Sequence, residues 1–214
     1  MLDLLLDLIF PRRSLAGQTG TYITREEFSK LTPFPLRLES SVLRTMGLKH
    51  LDRIVAAGSY AGAPLLRRAI YTWKYGRVKG MGEELGKLLI DVVPILYADT
   101  KKCVLCPVPL HWSREFYRGF NQAEQLATIL SDSANIPMVR CLRRMRATGF
   151  QARRRGIERR QSMSDMFRCA LNPMPSHIIL VDDIMTTGAT MDACAKELKA
   201  HGAKWVGGLV LAKG

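Results

Sequence analysis

Val181-Asp182-Asp183-Ile184-Met185-Thr186-Thr187-Gly188-Ala189-Thr190 decides how the rest of this chain is read. Just before it, Ile178-Ile179-Leu180-Val181 is a wholly apolar run, the mark of a strand buried on both faces of a parallel sheet. After it, Met191, Cys194, Ala195 and Leu198 recur at helical spacing and Gly202 stops the pattern. Ligands meet such sheets at the carboxyl ends of the strands, so the loop expected after Val181 is where a site belongs. Asp182 and Asp183 come where the strand is expected to end, and adjacent carboxylates can each accept a hydrogen bond from one hydroxyl of a sugar diol. Thr186, Thr187, Gly188, Ala189 and Thr190 then supply hydroxyls, an unhindered backbone at the glycine and the free N–H groups of a helix start, which together make a phosphate cradle. Taken singly, Asp183 reads equally well as a turn residue, and Thr187 or Thr190 as a helix cap. The fixed order of two acids, a hydroxyl-rich turn and a glycine between strand and helix favours the site.

Working outward, Trp205 to Leu211 supplies the next strand. Upstream, Cys103-Val104-Leu105-Cys106-Pro107-Val108-Pro109-Leu110 is another buried strand, with its prolines placing the end near 107 to 109. Phe120, Ala123, Leu126, Ala127 and Leu130 share one helical face, and Ile136 to Leu142 is expected to return as a strand. Before these come a strand from Ile54 to Tyr60, a helix from Ala63 to Tyr75 ended by Gly76, and a helix from Met81 to about Tyr97 that Pro94 kinks or ends. Strands alternating with helices predict an α/β domain with a mainly parallel sheet flanked by helices and right-handed crossovers. Residues 53–214 form that domain in this reading, and residues 1–52 a small N-terminal extension.

The 214 residues, 47% apolar, can bury a core without staples. The formal charge of +13 creates a positive field that attracts phosphates, nucleic acid or acidic surfaces. Ten arginines against Glu158 and Asp165 lie between Arg140 and Arg168, so that stretch either meets an anion or is a solvated basic loop. Five cysteines, at 103, 106, 141, 169 and 194, do not form a secreted disulfide framework, and a reducing cytoplasm fits them. The apolar segment Met1 to Phe10 carries two aspartates and is too short to span a bilayer, so it reads as an amphipathic docking helix and no membrane span is expected.

Residues 178–190 resemble the 5-phosphoribosyl 1-pyrophosphate (PRPP) signature of type I phosphoribosyltransferases. Pro107-Val108-Pro109-Leu110-His111, Arg118-Gly119-Phe120-Asn121-Gln122-Ala123-Glu124, Lys74-Tyr75 and the spaced Thr148, Gln151, Arg159 and Phe167 are similar to the ComF/GntX branch associated with DNA uptake and utilisation. The resemblance runs from about Ile54 to the C-terminus. It implies that Asp182 and Asp183 are the catalytic pair holding the ribose hydroxyls, and that Met185 to Thr190 wrap the 5′-phosphate. It also implies that Leu110, His111, Arg114 and Arg118 form the pyrophosphate loop, with Arg159 and Arg160 in a hood that closes over the substrate. Magnesium is implied as the companion of PRPP, with no protein ligand assigned. The chain departs from the family twice. No cysteine precedes Cys103, so the usual N-terminal zinc ribbon cannot be built and no zinc is expected. Ser162 stands where asparagine is common.

Alternatives for single residues stay open at this point. His111 is a ligand-facing donor or a surface residue; Arg118 and Asn121 hold phosphate or cap a helix; Lys74 points at the site or snorkels. Cys103 and Cys106, three apart on a strand, face opposite ways and read as buried thiols. Two functions compete: phosphoribosyl transfer from PRPP to an unknown acceptor, or a non-catalytic PRPP-sensing module whose basic face binds single-stranded DNA or a DNA-uptake helicase. Neither a Gly-x-x-x-x-Gly-Lys nor a strand-following Gly-x-Gly-x-x-Gly occurs, which disfavours P-loop and dinucleotide enzymes.

Overall fold

The structure, a computed structural model, describes residues 12–31, 34–76, 78–96, 103–110, 116, 119–145 and 166–214. The Met1–Phe10 segment and the arginine-rich run from 146 to 165 lie outside the described residues.

Five strands make the main sheet: β1 (Leu36–Glu39), β2 (Arg53–Ser59), β3 (Cys103–Pro107), β6 (His177–Met185) and β7 (Trp205–Lys213), in the order β1-β2-β7-β6-β3. Only β1 is antiparallel to its neighbour; β2, β7, β6 and β3 run parallel. A separate two-stranded ribbon pairs β4 (Leu142–Arg144) with β5 (Phe167–Cys169). The helices are α1 (Arg25–Ser29), α2 (Ser40–Thr45), α3 (Pro64–Tyr75), α4 (Met81–Leu96), α5 (Gln122–Ala134) and α6 (Ala189–Ala200).

The apolar strands are buried on both faces because helices cover both. On one face Leu66, Ala69, Ile70 and Trp73 of α3, Leu85, Leu88 and Leu89 of α4 and Leu126, Ala127 and Leu130 of α5 meet Val55, Leu105, Ile179, Val181 and Leu209. On the other, Met191, Cys194, Ala195 and Leu198 of α6, with Leu43 of α2 and the ribbon residues Leu142 and Phe167, cover Ile54, Cys106, Leu180, Val206 and Val210. Cys103 and Cys106 fall in the two different cores, as their odd spacing requires. All five cysteines are free thiols. Helices α4 and α5 approach closely where Gly82 faces Gln125 and Gly86 faces Ile129; a Cβ at either glycine would lie 2.6 or 2.7 Å from those side chains.

Residues from the N-terminal region join the same structure. Leu15, Ile23 and Leu31 enter the α3–α5 core, and Thr24 opens α1 with a capping box in which its side chain and that of Glu27 exchange hydrogen bonds with backbone N–H groups. Among the described residues no helix is long and apolar enough to cross a membrane.

Two local expectations need correction. The segment from Ile136 to Leu142 is not a strand of the sheet: it makes a single parallel bridge, Met138 to Leu105. Leu105 donates its N–H to the Pro137 carbonyl (2.9 Å) and accepts from Val139 N–H (2.8 Å), but Pro137 has no N–H with which to extend the ladder. The second concerns β6, which does not end at Val181. It continues through both acids to Met185, because β7 is equally long and pairs with it to the register Met185↔Lys213.

Candidate functional site

The two neighbours of β6 differ in length, and this difference makes the site. Pairing with β3 stops at Pro107↔Val181, closed by Val108 N–H on the Val181 carbonyl (2.9 Å), whereas β7 supports β6 four residues further. Prolines at 107 and 109 end β3. Among the described residues, the edge of β6 that carries the acid pair is therefore left unpaired on the β3 side. A cavity of about 170 Å³ lies there, lined by Asp182, Asp183, Leu110, Thr190, Lys74 and Arg144, with Asn121 and Gln122 of the α5 start beside them.

Adjacent strand residues point to opposite faces, so the acids straddle β6. Asp183, 8% exposed, meets the last turn of α3, where Lys74 Nζ lies 2.7 Å from its Oδ1. Both side chains of this ion pair are 11% exposed. Lys74 thus points into the site; it does not snorkel. Trp73, fully buried beside it, anchors the helix by donating its indole N–H to Gln125 Oε1 of α5 (3.1 Å).

Asp182 sits over the α6 face and accepts the Asp183 backbone N–H at 2.8 Å. Dense protein surrounds it even though one edge opens to the cavity. Burial pushes its carboxyl up from 3.8 to about 7, the charge of Asp183 adds to the rise, and the Asp183 N–H, Lys74 and Arg144 act the other way. The two carboxylates therefore differ: one carries a direct ammonium partner, while the other divides between protonated and ionised forms near pH 7.

Arg144 comes from β4, its guanidinium over the ring of Phe167 on β5 at 5.4 Å. Sequence reasoning left it undistinguished within the arginine run, because only the pairing Arg144↔Phe167 across the ribbon aims it at the cavity. Asn121 caps α5, its Oδ1 accepting from Ala123 N–H at 3.1 Å, and it also lines the cavity.

The turn into α6 follows at once. Thr186 and Thr187 are exposed, and Gly188 is the N-cap with φ +79°. A side chain there would be strained and would meet Leu48 and Met185 carbons at 2.6 and 2.8 Å. No side chain of the cap residue closes the first turn of α6, and among the described residues only Thr187 Oγ1 accepts weakly from Ala189 N–H (3.4 Å), so the helix start can receive an anion. Met185 differs from its neighbours: its side chain is 2% exposed and packs in the α6-side core, so it could contribute only backbone to a ligand. His111, Arg114, Arg118, Arg159 and Arg160 lie outside the described residues.

The arrangement offers two carboxylates for vicinal hydroxyls, a helix start for a phosphate, and cations from α3 and β4. Comparison with known proteins agrees with that chemistry. Residues 117–214 match the phosphoribosyl transferase domain. The DNA utilization protein YhgH of Escherichia coli O157:H7 is 31% identical over 161 residues, which covers 72% of this chain and 69% of that protein. Competence protein F of Haemophilus influenzae is 35% identical over 102 residues (46% of this chain, 44% of that protein). Competence protein ComFC of Bacillus subtilis is 36% identical over 107 residues (50% and 42%).

Proposed function

Since the chain belongs to the ComF-type phosphoribosyltransferase-like family, we propose that the cavity at Asp182 and Asp183 binds PRPP, and that the protein acts on it in the cytoplasm. The observation that carries this reading is the acid pair on an open strand edge, with the bare N-terminus of α6 next to it. In the proposed complex Asp182 and Asp183 accept hydrogen bonds from the ribose hydroxyls. Thr186, Thr187 and Thr190, with the N–H groups around Gly188 and Ala189, hold the 5′-phosphate. The described cavity is smaller than the ~300–1,000 Å³ typical of a site for a whole drug-sized ligand, which suits the sugar end of PRPP. Leu110 and the residues after it, His111, Arg114 and Arg118, would face the pyrophosphate, and Arg159 and Arg160 would belong to a hood over it.

Transfer would displace pyrophosphate from C1 of the ribose as positive charge builds on the ring. Asp182 and Asp183 position that ring and, when ionised, favour the charge electrostatically. Lys74 holds the Asp183 carboxylate in one orientation for the task. Arg144, also lining the cavity, adds positive charge from which an anionic leaving group would gain. The carboxylate oxygens of Asp182 and Asp183 fit the hard donors that magnesium takes through its water shell. When bound with PRPP, magnesium would neutralise pyrophosphate charge. The acceptor is not specified by any described residue.

A second reading is favoured by the net charge of +13: the PRPP site senses ligand while the basic surface binds single-stranded DNA or a helicase partner. Calorimetric titration of PRPP with magnesium at moderate salt tests the first. Saturable binding is expected, weakened about 10- to 100-fold or more by Asp182→Asn with Asp183→Asn. Absence of binding to folded wild type would sink the PRPP reading.

A further inference from the structure

Strand β5 packs against the C-terminal half of α6, far along the helix from its phosphate-facing start. At that junction Cys169 of β5, Glu197 of α6 and His201 at the end of α6 each bring one metal-ligating atom, and these atoms all lie within 4.8 Å of one another. Glu197 and His201 are four residues apart and so share a helix face. Three hydrogen bonds to Glu197 already set the geometry. Cys169 donates its N–H to Glu197 Oε1 at 3.1 Å, fixing the strand against the carboxylate, and its thiol to the Glu197 carbonyl at 3.6 Å, a contact the thiolate would give up on binding the ion. His201 donates Nδ1–H to the Glu197 carbonyl at 2.9 Å, which orients the ring and leaves the lone pair on Nε2. A carbonyl behind the imidazole is the usual support of a metal-ligating histidine.

We propose that Cys169, Glu197 and His201 bind a zinc ion. A mixed set of sulfur, nitrogen and oxygen donors suits zinc better than the harder divalent cations. Tetrahedral zinc needs ligand atoms on the order of 3.5 Å apart, so the three side chains would draw closer together on binding. The adjoining cavity, bordered by Cys169, His201, Arg143 and Asn172, gives water access to the fourth position. On binding, the Cys169 thiol gives its proton to solvent and the thiolate sulfur ligates the ion. The earlier expectation of no zinc rested on the absence of cysteines before Cys103. These ligands meet only when β5 folds onto α6, which residue spacing does not reveal. The ion would pin the β4–β5 ribbon to α6, and Arg144 sits on that ribbon two residues from Leu142, the partner of Cys169.

The test is a cobalt(II) titration of the chelator-treated full chain, followed by absorbance and then by displacement with zinc, alongside thermal denaturation with and without zinc. One equivalent of cobalt is expected to give a thiolate charge-transfer band that zinc abolishes, and zinc is expected to raise the melting temperature. Cys169→Ser removes both effects. His201→Ala, at an exposed position that leaves folding intact, weakens zinc binding at least about tenfold. The variant with Asp182→Asn and Asp183→Asn keeps the band, so this result stands or falls apart from PRPP binding. A wild type without the band, or a band and thermal shift that persist in both Cys169→Ser and His201→Ala, overturns the proposal.

Discussion

The role proposed for Asp182 in ligand binding comes at the expense of stability, and its pH dependence exposes the conflict. Its carboxyl titrates near 7 in the fold against an ordinary 3.8, so between those values the folded chain binds more protons than the unfolded one. Stability contributed by this residue is therefore full at low pH and falls as pH rises through that window, levelling above 7. Asp182→Asn removes the loss. Its melting temperature is expected to exceed wild type by a few degrees at about pH 8 and to match it near pH 4, while PRPP binding fails. A variant less stable than wild type at pH 8 would contradict this assignment. Lys74→Met acts in the opposite sense by taking the ion-pair partner from a buried carboxylate, at a cost of about 3 kcal/mol. Adding Asp183→Asn to that background should recover most of the loss in denaturant titrations, which a purely packing role for the lysine stem would not allow. Neither the titration nor the pair was legible in the sequence. The acid pair was, through its place after an apolar run, but its partner comes from α3, and only the folded sheet brings the two together.

Among the elements, the strands and helices that were legible are those whose burial imposes a period. The sides of α3, α4, α5 and α6 follow the 3.6-residue spacing, and β3, β6 and β7 are continuous apolar runs because both faces are covered. The short edge strand β1 and the ribbon β4–β5 escaped. Four residues of Leu-Arg-Leu-Glu carry too little pattern, and the two ribbon strands are separated by the arginine-rich segment. The length of β6 was also misjudged, because polar residues at its end looked like a loop although β7 supplied ladder partners. The link between the N-terminal region and α6 is likewise tertiary. Asp192 Oδ1 accepts from the N–H groups of His50 (2.7 Å) and Leu51 (3.1 Å), while Asp52 accepts from Val206 N–H and pairs with Lys199, both at 2.8 Å. Asp192→Ala leaves two part-buried backbone donors without that acceptor and should cost about 1–3 kcal/mol. Faster amide exchange at His50 and Leu51, with β6 amides unchanged, is the expected signature; protection unchanged at both would show that the contact holds nothing in place.

At the scale of the whole molecule the charge of +13 separates the two readings of function. A polyanion bound by the basic surface releases counterions, so the logarithm of its affinity falls linearly with the logarithm of salt, by about 0.7 for each single-strand phosphate neutralised. PRPP in the acid-pair cavity, as proposed, would be held through carboxylates, hydroxyls and backbone N–H groups as well as cations, and its salt response would be correspondingly shallower. Some arginines are already committed: Arg140 pairs with Glu124, and Arg144 faces the cavity. Fluorescence anisotropy with an oligothymidine, in a salt series with and without PRPP, should show steep salt dependence, no change with PRPP and full retention in the Asp182→Asn, Asp183→Asn variant. That outcome places nucleic-acid binding on the general surface, separate from the sugar-phosphate site. Competition between the oligonucleotide and PRPP, lost in the same variant, would instead put the strand in the cavity and make nucleic acid a candidate acceptor for the transferred phosphoribosyl group.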